Sequence, residues 1–336
     1  MKLNPLFAFG RRGVSALLLC AAGIACAQPA GAQTPGADYP ARTVQLIVPF
    51  PPGGPTDIVG RLVAQRLSEG LGRSVVVENR PGAGGTVGSA AAAKAAPDGY
   101  TLLYGSTSTL AIAPSLYRSL SYDPRVAFTP ISLVSRGAIV LAVHSAVPAA
   151  SLNDFIAEAR RAPGKFAYAS AGSGTPPHLA AEFFKSVAGI DLLHVPYKGG
   201  AQALNDVASG QAQAIFEGLV TLAPQLRAGR IRALAITGER RDAAFPDVPT
   251  FAQAGLPQYD AYFWSGLVAP AGTPPDIISR LNAVLNQGLE RADIREAFER
   301  QGLQTAASSP QAFGQFIASE IERWARVAKA SGAQVD

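Results

Sequence analysis

The chain has 336 residues, enough for two lobes, because single cores seldom grow past roughly 250–300 residues. Hydrophobic residues make up 48% of it and charged residues 16%, which supports a large buried core and excludes a disordered chain. Lys2, Arg11 and Arg12 account for three of the five net positive charges, and no Lys/Arg cluster with interleaved aromatics follows them, so nucleic acid is excluded as a partner.

Residues 1–32 have the order of a secretory signal peptide. Lys2, Arg11 and Arg12 form a positive start, Val14 to Ala25 is an apolar run, and two small-x-small sites follow, Ala25-Cys26-Ala27 and Ala30-Gly31-Ala32. Cleavage is expected after Ala27 or Ala32. The run is shorter than the about 20 residues that a membrane span needs. Arg11-Arg12 followed by Gly13-Val14-Ser15 fits a twin-arginine signal poorly, and neither Cys20 nor Cys26 has the preceding residues of a lipid-attachment site, so the general export route is favoured. Both cysteines lie in this leader. The mature chain then has no disulfide, thiol nucleophile or Cys-ligated metal.

After a polar lead-in over residues 33–41, strand and helix patterns alternate. Residues 43–48 read as a buried strand and 57–69 as a helix. A strand at 74–78, an Ala-rich helix at 88–96 and a strand at 101–104 follow. The pattern resumes with a strand at 139–143 and a helix at 152–161, for which Ser151 and Asp154 form a capping box. Strands at 166–169, 192–195, 214–216 and 233–236 alternate with helices at 179–188 and 202–208. This alternation implies parallel sheets covered by helices. The end of the chain reads as one strand, 263–269, then helices at 275–290, 292–301 and 312–330, with no further strand.

Three turns carry the functional signal. The first, Pro49 to Asp57, offers main-chain N–H donors at Phe50, Gly53, Gly54, Thr56 and Asp57 and feeds directly into a helix, whose N-terminus favours an anion. The alternative is a rigid loop with Thr56 or Asp57 as an ordinary N-cap. The second turn, Ser170 to His178, presents Ser170, Gly172, Ser173, Gly174 and Thr175, and again a helix follows. A third, after the strand at 101–104, adds the hydroxyls of Ser106 and Thr107. Ligands in open α/β sheets sit at the carboxyl ends of strands, where such turns lie. Two turns facing each other across a cleft would hold a carboxylate by neutral donors.

Other chemistries fail on their motifs. Gly82 to Val87 and Gly172 to Pro177 lack the last glycine of a dinucleotide loop, and the chain has neither a P-loop Gly-Lys-Ser/Thr nor a Gly-x-Ser-x-Gly elbow. His144, His178 and His194 are far apart in sequence and without carboxylates at metal-ligand spacing. No cofactor or metal is expected. His178, beside the second turn, is a candidate solute contact. Asp57 and Glu217 are the carboxylates nearest the turns, and Asp57 is a candidate partner for an ammonium group.

At Tyr39-Pro40, Ile47-Val48-Pro49-Phe50, Pro52-Gly53-Gly54, Thr56-Asp57, Glu78 to Gly85, Pro97 to Thr101, His194 to Gly199, Asp247 to Thr250 and Ala269 to Pro274, the sequence resembles the Bug family. These are periplasmic solute-binding subunits of tripartite tricarboxylate transporters. The resemblance runs through nearly all of the chain after the leader. It implies a type II periplasmic-binding-protein (Venus flytrap) α/β fold, with residues 33–137 and 257–336 in one lobe and 138–256 in the other. It implies a di- or tricarboxylate, an acidic amino acid or an aromatic acid as solute, held through the two strand–helix turns, and membrane transporter subunits as partners of a monomer. Phe216-Glu217-Gly218 departs from the family pattern where the far end of the solute is expected. Two alternatives stay open: a ligand-sensing module for a receptor kinase, and a secreted enzyme acting on a small organic acid, which would need a base–nucleophile pair in the cleft.

Overall fold

A computed structural model describes residues 39–335, so the leader expected over residues 1–32 lies outside the described residues. The run expected as the first strand forms β1 (Val44–Val48), in which only Gln45 is not fully buried. Near-continuous apolarity is what a strand covered on both faces requires. β1 pairs in parallel with β2 (Val75–Asn79) on one side and β3 (Thr101–Ser106) on the other. The crossovers are α1 (Pro55–Leu71), ended by the left-handed Gly72, and α2 (Thr86–Ala93). Two short helices, α3 (Ala113–Leu116) and α4 (Pro124–Ala127), lead to β4 (Phe128–His144).

β4 is 17 residues long and organises the molecule. From Phe128 to Ala138 it pairs antiparallel with β9 (Tyr262–Pro270); from Ile139 onward it pairs antiparallel with β7 (Ala214–Gly218), and from Val140 with β8 (Ile231–Ile236) on its other side. One strand thus belongs to two sheets. The first runs β2-β1-β3-β9-β4, with β10 (Leu303–Thr305) on β4. The second continues β4-β7-β5-β6, where β5 (Ala167–Ser170) and β6 (Leu193–Pro196) are parallel. Only residues 139–143 were expected as strand here. The expectation that no strand follows β9 is corrected by β10, and α8 (Leu219–Arg227), with Pro224 inside it, was not expected at all.

Helices α5 (Leu152–Arg161), α6 (Pro176–Ala188) and α7 (Gly200–Ala208) cover the second sheet, and α5 starts with the expected Ser151–Asp154 capping box. The closing helices are α9 (Pro275–Leu289), α10 (Ala292–Glu299) and α11 (Pro310–Ser331). Along α11, Phe313, Ile317, Ile321 and Trp324 are buried at helical spacing. Phe313 closes directly onto β9: a Cβ at Gly266 would lie 2.1 Å from its ring, so this strand position must be glycine. The Trp324 ring meets Phe183 of α6 at 6.4 Å, which joins the last helix to the second sheet.

Candidate ligand-binding site

The first turn leaves β1 at Pro49 and enters α1 with Gly54 as N-cap and Pro55 at N1. Thr56 and Asp57 are therefore not the cap. The Asp57 carboxylate, buried at 3% exposure, turns back and accepts from Gly53 N–H (2.9 Å), Arg61 Nε (2.9 Å) and Asn79 Nδ2 (2.8 Å). Asn79 also donates to the Phe50 carbonyl (3.1 Å). Burial raises the Asp57 carboxyl, but the bonds from Arg61, Gly53 and Asn79 outweigh it and hold the group below its ordinary value. Two expectations change. Asp57 is committed to the turn and is not free for an ammonium group, and the Gly53 N–H is spent on Asp57. Gly54 carries no side-chain cap, so the amides of Thr56 and Asp57 at the start of α1 are without an intrahelical partner.

The second turn repeats this construction. Gly174 has φ +76° and Gly53 φ +80°. Each is followed by an uncapped N-cap residue, Thr175 or Gly54, then by proline at N1 and an acceptor side chain at N3. In α6 that acceptor is His178, whose Nδ1 accepts from Gly174 N–H at 3.0 Å. His178 is buried at 5% exposure, a support of the turn. Gly172, at φ +128°, accepts from the Thr175 hydroxyl (2.6 Å) and donates its N–H to Ser170 Oγ (3.2 Å). Ser173 is exposed and makes none of these bonds. The amides of Gly172 and Gly174 thus shape the loop, and Pro176 and Pro177 have no N–H to give.

His178 and His194, distant in sequence, stack with ring centroids 4.0 Å apart, and Tyr168 stacks on His194 at 4.8 Å. His194 Nε2 lies 2.7 Å from Ser170 Oγ. Burial lowers both imidazoles to about 4, with Lys185 adding to the effect on His178, and His178 to that on His194. Both rings are neutral at pH 7, and the second turn rests on an uncharged ladder.

The third stretch splits. Thr107 is buried and its hydroxyl is committed to β9, accepting from Trp264 N–H (2.8 Å) and donating to Trp264 O (3.2 Å). Ser106 differs: its amide donates to Thr109 Oγ1 (3.1 Å), while its own Oγ is buried without a hydrogen-bond partner. The parallel register that pairs Ile47 with Leu103 places Ser106 level with Phe50 at the carboxyl edge of the first sheet.

Contacts bring the turns to one side of the molecule. A Cβ at Gly85 would lie 3.2 Å from the Phe50 ring and 2.7 Å from Thr109. Ala83 O accepts from Tyr117 (2.8 Å), and Tyr117 bridges to Val335. A Cβ at Gly174 would meet Val335 at 2.6 Å and Leu116 at 2.9 Å. Val220, two residues past the end of β7, similarly abuts Gly302 beside β10. The carboxyl edges of the two sheets therefore face each other. Glu217, at the end of β7, is half-buried and accepts from Gly218 N–H at 2.9 Å. A cavity of about 330 Å³ between α6, α11 and the crossover before β9 lies elsewhere, lined by Phe183, Gln258, Asp260, Arg323 and Arg326, and none of the expected residues lines it. Sequence reasoning missed Asn79, Arg61 and His194 as the residues that hold the turns, although Gly-x-Pro-x-Asp and Gly-x-Pro-x-His are visible as a repeated spacing.

The model of the family described as tripartite tricarboxylate transporter family receptor matches residues 59–333. The protein BugT of Bordetella pertussis is 40% identical over 323 residues, 96% of this chain and 97% of BugT. Among solved structures, R. palustris Rpa4515 with adipate is 37% identical at a TM-score of 0.74, covering 88% of this chain and all of that one. MatC of Rhodopseudomonas palustris with bound malate is 34% identical at a TM-score of 0.71, covering 86% of this chain and 99% of that one. The periplasmic binding protein BugD is 33% identical at a TM-score of 0.70, covering 88% of this chain and 99% of that one, and the two sheets joined by shared β4 are this two-lobed periplasmic-binding fold. The chain belongs to the tripartite tricarboxylate transporter receptors, the Bug family of solute-binding proteins.

Proposed function

We propose that the protein is exported by its leader and captures a small carboxylate between the two Gly-x-Pro turns. It then delivers that solute to the membrane subunits of a tripartite transporter. The observation that carries this reading is the buried, unpartnered Ser106 hydroxyl at the carboxyl edge of the first sheet, beside an α1 start that no side chain caps. A buried polar group without a partner is costly, and a solute carboxylate or a water bridging to it would satisfy it. The uncapped helix start adds N–H groups and a partial positive charge. Relatives whose solved structures hold adipate and malate support the same solute class. The lobes close on the solute about the crossing strand β4, and residues 33–137 with 257–336 move against 138–256. On this reading Phe50, Gly54, Thr56, Ser106 and Ser173 face the solute, while Gly53, Asp57, Gly172, Gly174, Thr175 and His178 hold the turns that present them.

The enzyme alternative gains one feature, the 2.7 Å contact between Ser170 Oγ and His194 Nε2. It is weaker on the rest, since Ser170 is 1% exposed and its oxygen is already engaged with Gly172. Product analysis after incubation with each acid separates the readings, because a receptor returns the acid unchanged.

Titration calorimetry with adipate, malate, succinate and citrate tests the proposal, with Gly54→Pro as the site variant. The φ of −79° at Gly54 suits proline, so the change removes one N–H while keeping that residue's own φ. At least one acid is expected to bind the wild type, and Gly54→Pro to weaken it about tenfold, the size of one charge-assisted hydrogen bond. No binding of any acid, or equal binding by the variant, rejects the proposed site.

A further inference from the structure

We propose that Glu217 is a specificity-determining residue, and that it receives an ammonium group on the part of the solute that lies away from the anchored carboxylate. The inference rests on the capture reading above and deepens it. β5 and β7 are parallel with Ala169 opposite Ile215, so two residues further on Glu217 stands level with Ala171, the first residue of the second turn beyond β5. From there its carboxylate reaches toward the next loop: Oε2 would lie 3.5 Å from a Cβ at Gly200, where α7 begins. The loop before α7 closes on the second turn in the same way, because a Cβ at Gly172 would lie 3.2 Å from the Tyr197 carbonyl. Glu217 therefore shares a wall with the second turn.

Its bonding is incomplete. Oε1 accepts from Gly218 N–H at 2.9 Å, and the group forms no ion pair among the described residues. Burial pushes its carboxyl above the ordinary range, opposed by the Gly218 N–H. Asp57, the other carboxylate near the turns, is fully used by Gly53, Arg61 and Asn79. Glu217 is thus the acidic group at the site with acceptor capacity to spare. A solute bearing only carboxylates would bring further negative charge to an unneutralised one, whereas an ammonium group pairs with it at short range in a partly desolvated wall. The solute class that fits both ends is an amino carboxylate.

Calorimetry on the full mature chain tests this with three matched pairs: glutarate and L-glutamate, succinate and L-aspartate, valerate and 5-aminovalerate. In at least one pair the amine-bearing member should bind at least tenfold tighter at pH 7.5. Glu217→Gln, which keeps an oxygen for Gly218 N–H, should bring that ratio to within about twofold while the melting temperature stays close to wild type. Tighter binding of the amine-free member in all three pairs overturns the inference without any variant. So does an amine preference that Glu217→Gln leaves unchanged. A gain of malate over succinate with no gain from any amine assigns a neutral donor and overturns the ammonium. Dicarboxylate binding indifferent to Glu217 leaves the capture reading standing and removes only this one, whereas no binding by any acid removes both.

Discussion

Asp57 and His178 occupy equivalent places in the two turns, and their chemistry sets how each turn responds to pH. Asp57→Ala leaves Gly53 N–H, Asn79 and Arg61 without their shared acceptor, in a place where the carboxylate is buried. Breaking a buried charge-assisted set of this kind costs about 2–3 kcal/mol, to be read from denaturant midpoints. Because the folded state holds the Asp57 carboxyl below its ordinary value, its stabilising effect is complete above that value and fades as pH falls through the acid range below about 4. The imidazoles act in an adjoining window. Above about 6.5 both states are neutral and nothing changes. As pH falls toward about 4 the unfolded chain takes up protons that buried His178 and His194 refuse, so stability is lost across that interval. Melting temperature recorded from pH 7 to pH 4 should decline, and His194→Gln should flatten the decline. A variant curve parallel to wild type would show that the stacked pair does not control it.

At the scale of elements, the two positive-φ glycines permit a matched comparison. Gly53→Ala and Gly174→Ala carry a similar left-handed backbone penalty of about 1–2 kcal/mol. A Cβ at Gly53 meets nothing within 4 Å, whereas at Gly174 it runs into Val335 and Leu116. Gly174→Ala should therefore lower the melting temperature more than Gly53→Ala. It should also weaken solute binding more, because the added methyl pushes apart surfaces contributed by the two sheets. Equal losses would mean that the Gly174 contact is not part of the closed arrangement. The turns were legible in the sequence because proline and glycine announce themselves by backbone chemistry. What used up their amides was not, since the side chains of Asp57 and His178 reach back four residues only once the helix has formed. The crossing strand was also hidden. Pro130 and Gly137 interrupt the apolar pattern of β4, and its register shifts twice against β9, so its first half became a strand only through partners more than a hundred residues away. Likewise Pro224 masked α8, which proline ordinarily argues against.

At the scale of the whole molecule, β4 alone passes between the sheets, with β9 paired to its first half, and one of the chain's two tryptophans lies on β9 and the other on α11. Trp264 of β9 and Trp324 of α11 both donate to Glu320 Oε2, at 2.8 and 3.1 Å. Glu320 is buried, and its other oxygen meets Arg323 at 3.1 Å, which in turn reaches Asp260 in the crossover before β9. One carboxylate thus ties β9, the neighbour of the crossing strand, to the last helix, and Trp324 carries the connection on to Phe183 of α6. A rotation of the lobes about β4 must alter the surroundings of at least one of these indoles, whose emission depends on the charge and hydrogen bonding beside them. Saturation with a binding acid should therefore change the intrinsic tryptophan emission, with a midpoint equal to the calorimetric one, and the radius of gyration from small-angle scattering should fall in step. Glu320→Gln removes the charge that both indoles share, so its emission in the unliganded state should differ from that of wild type even though binding still takes place. An acid that binds by calorimetry while emission and radius both stay constant would mean that the solute enters a rigid cleft, and the crossing at β4 would be a static bridge.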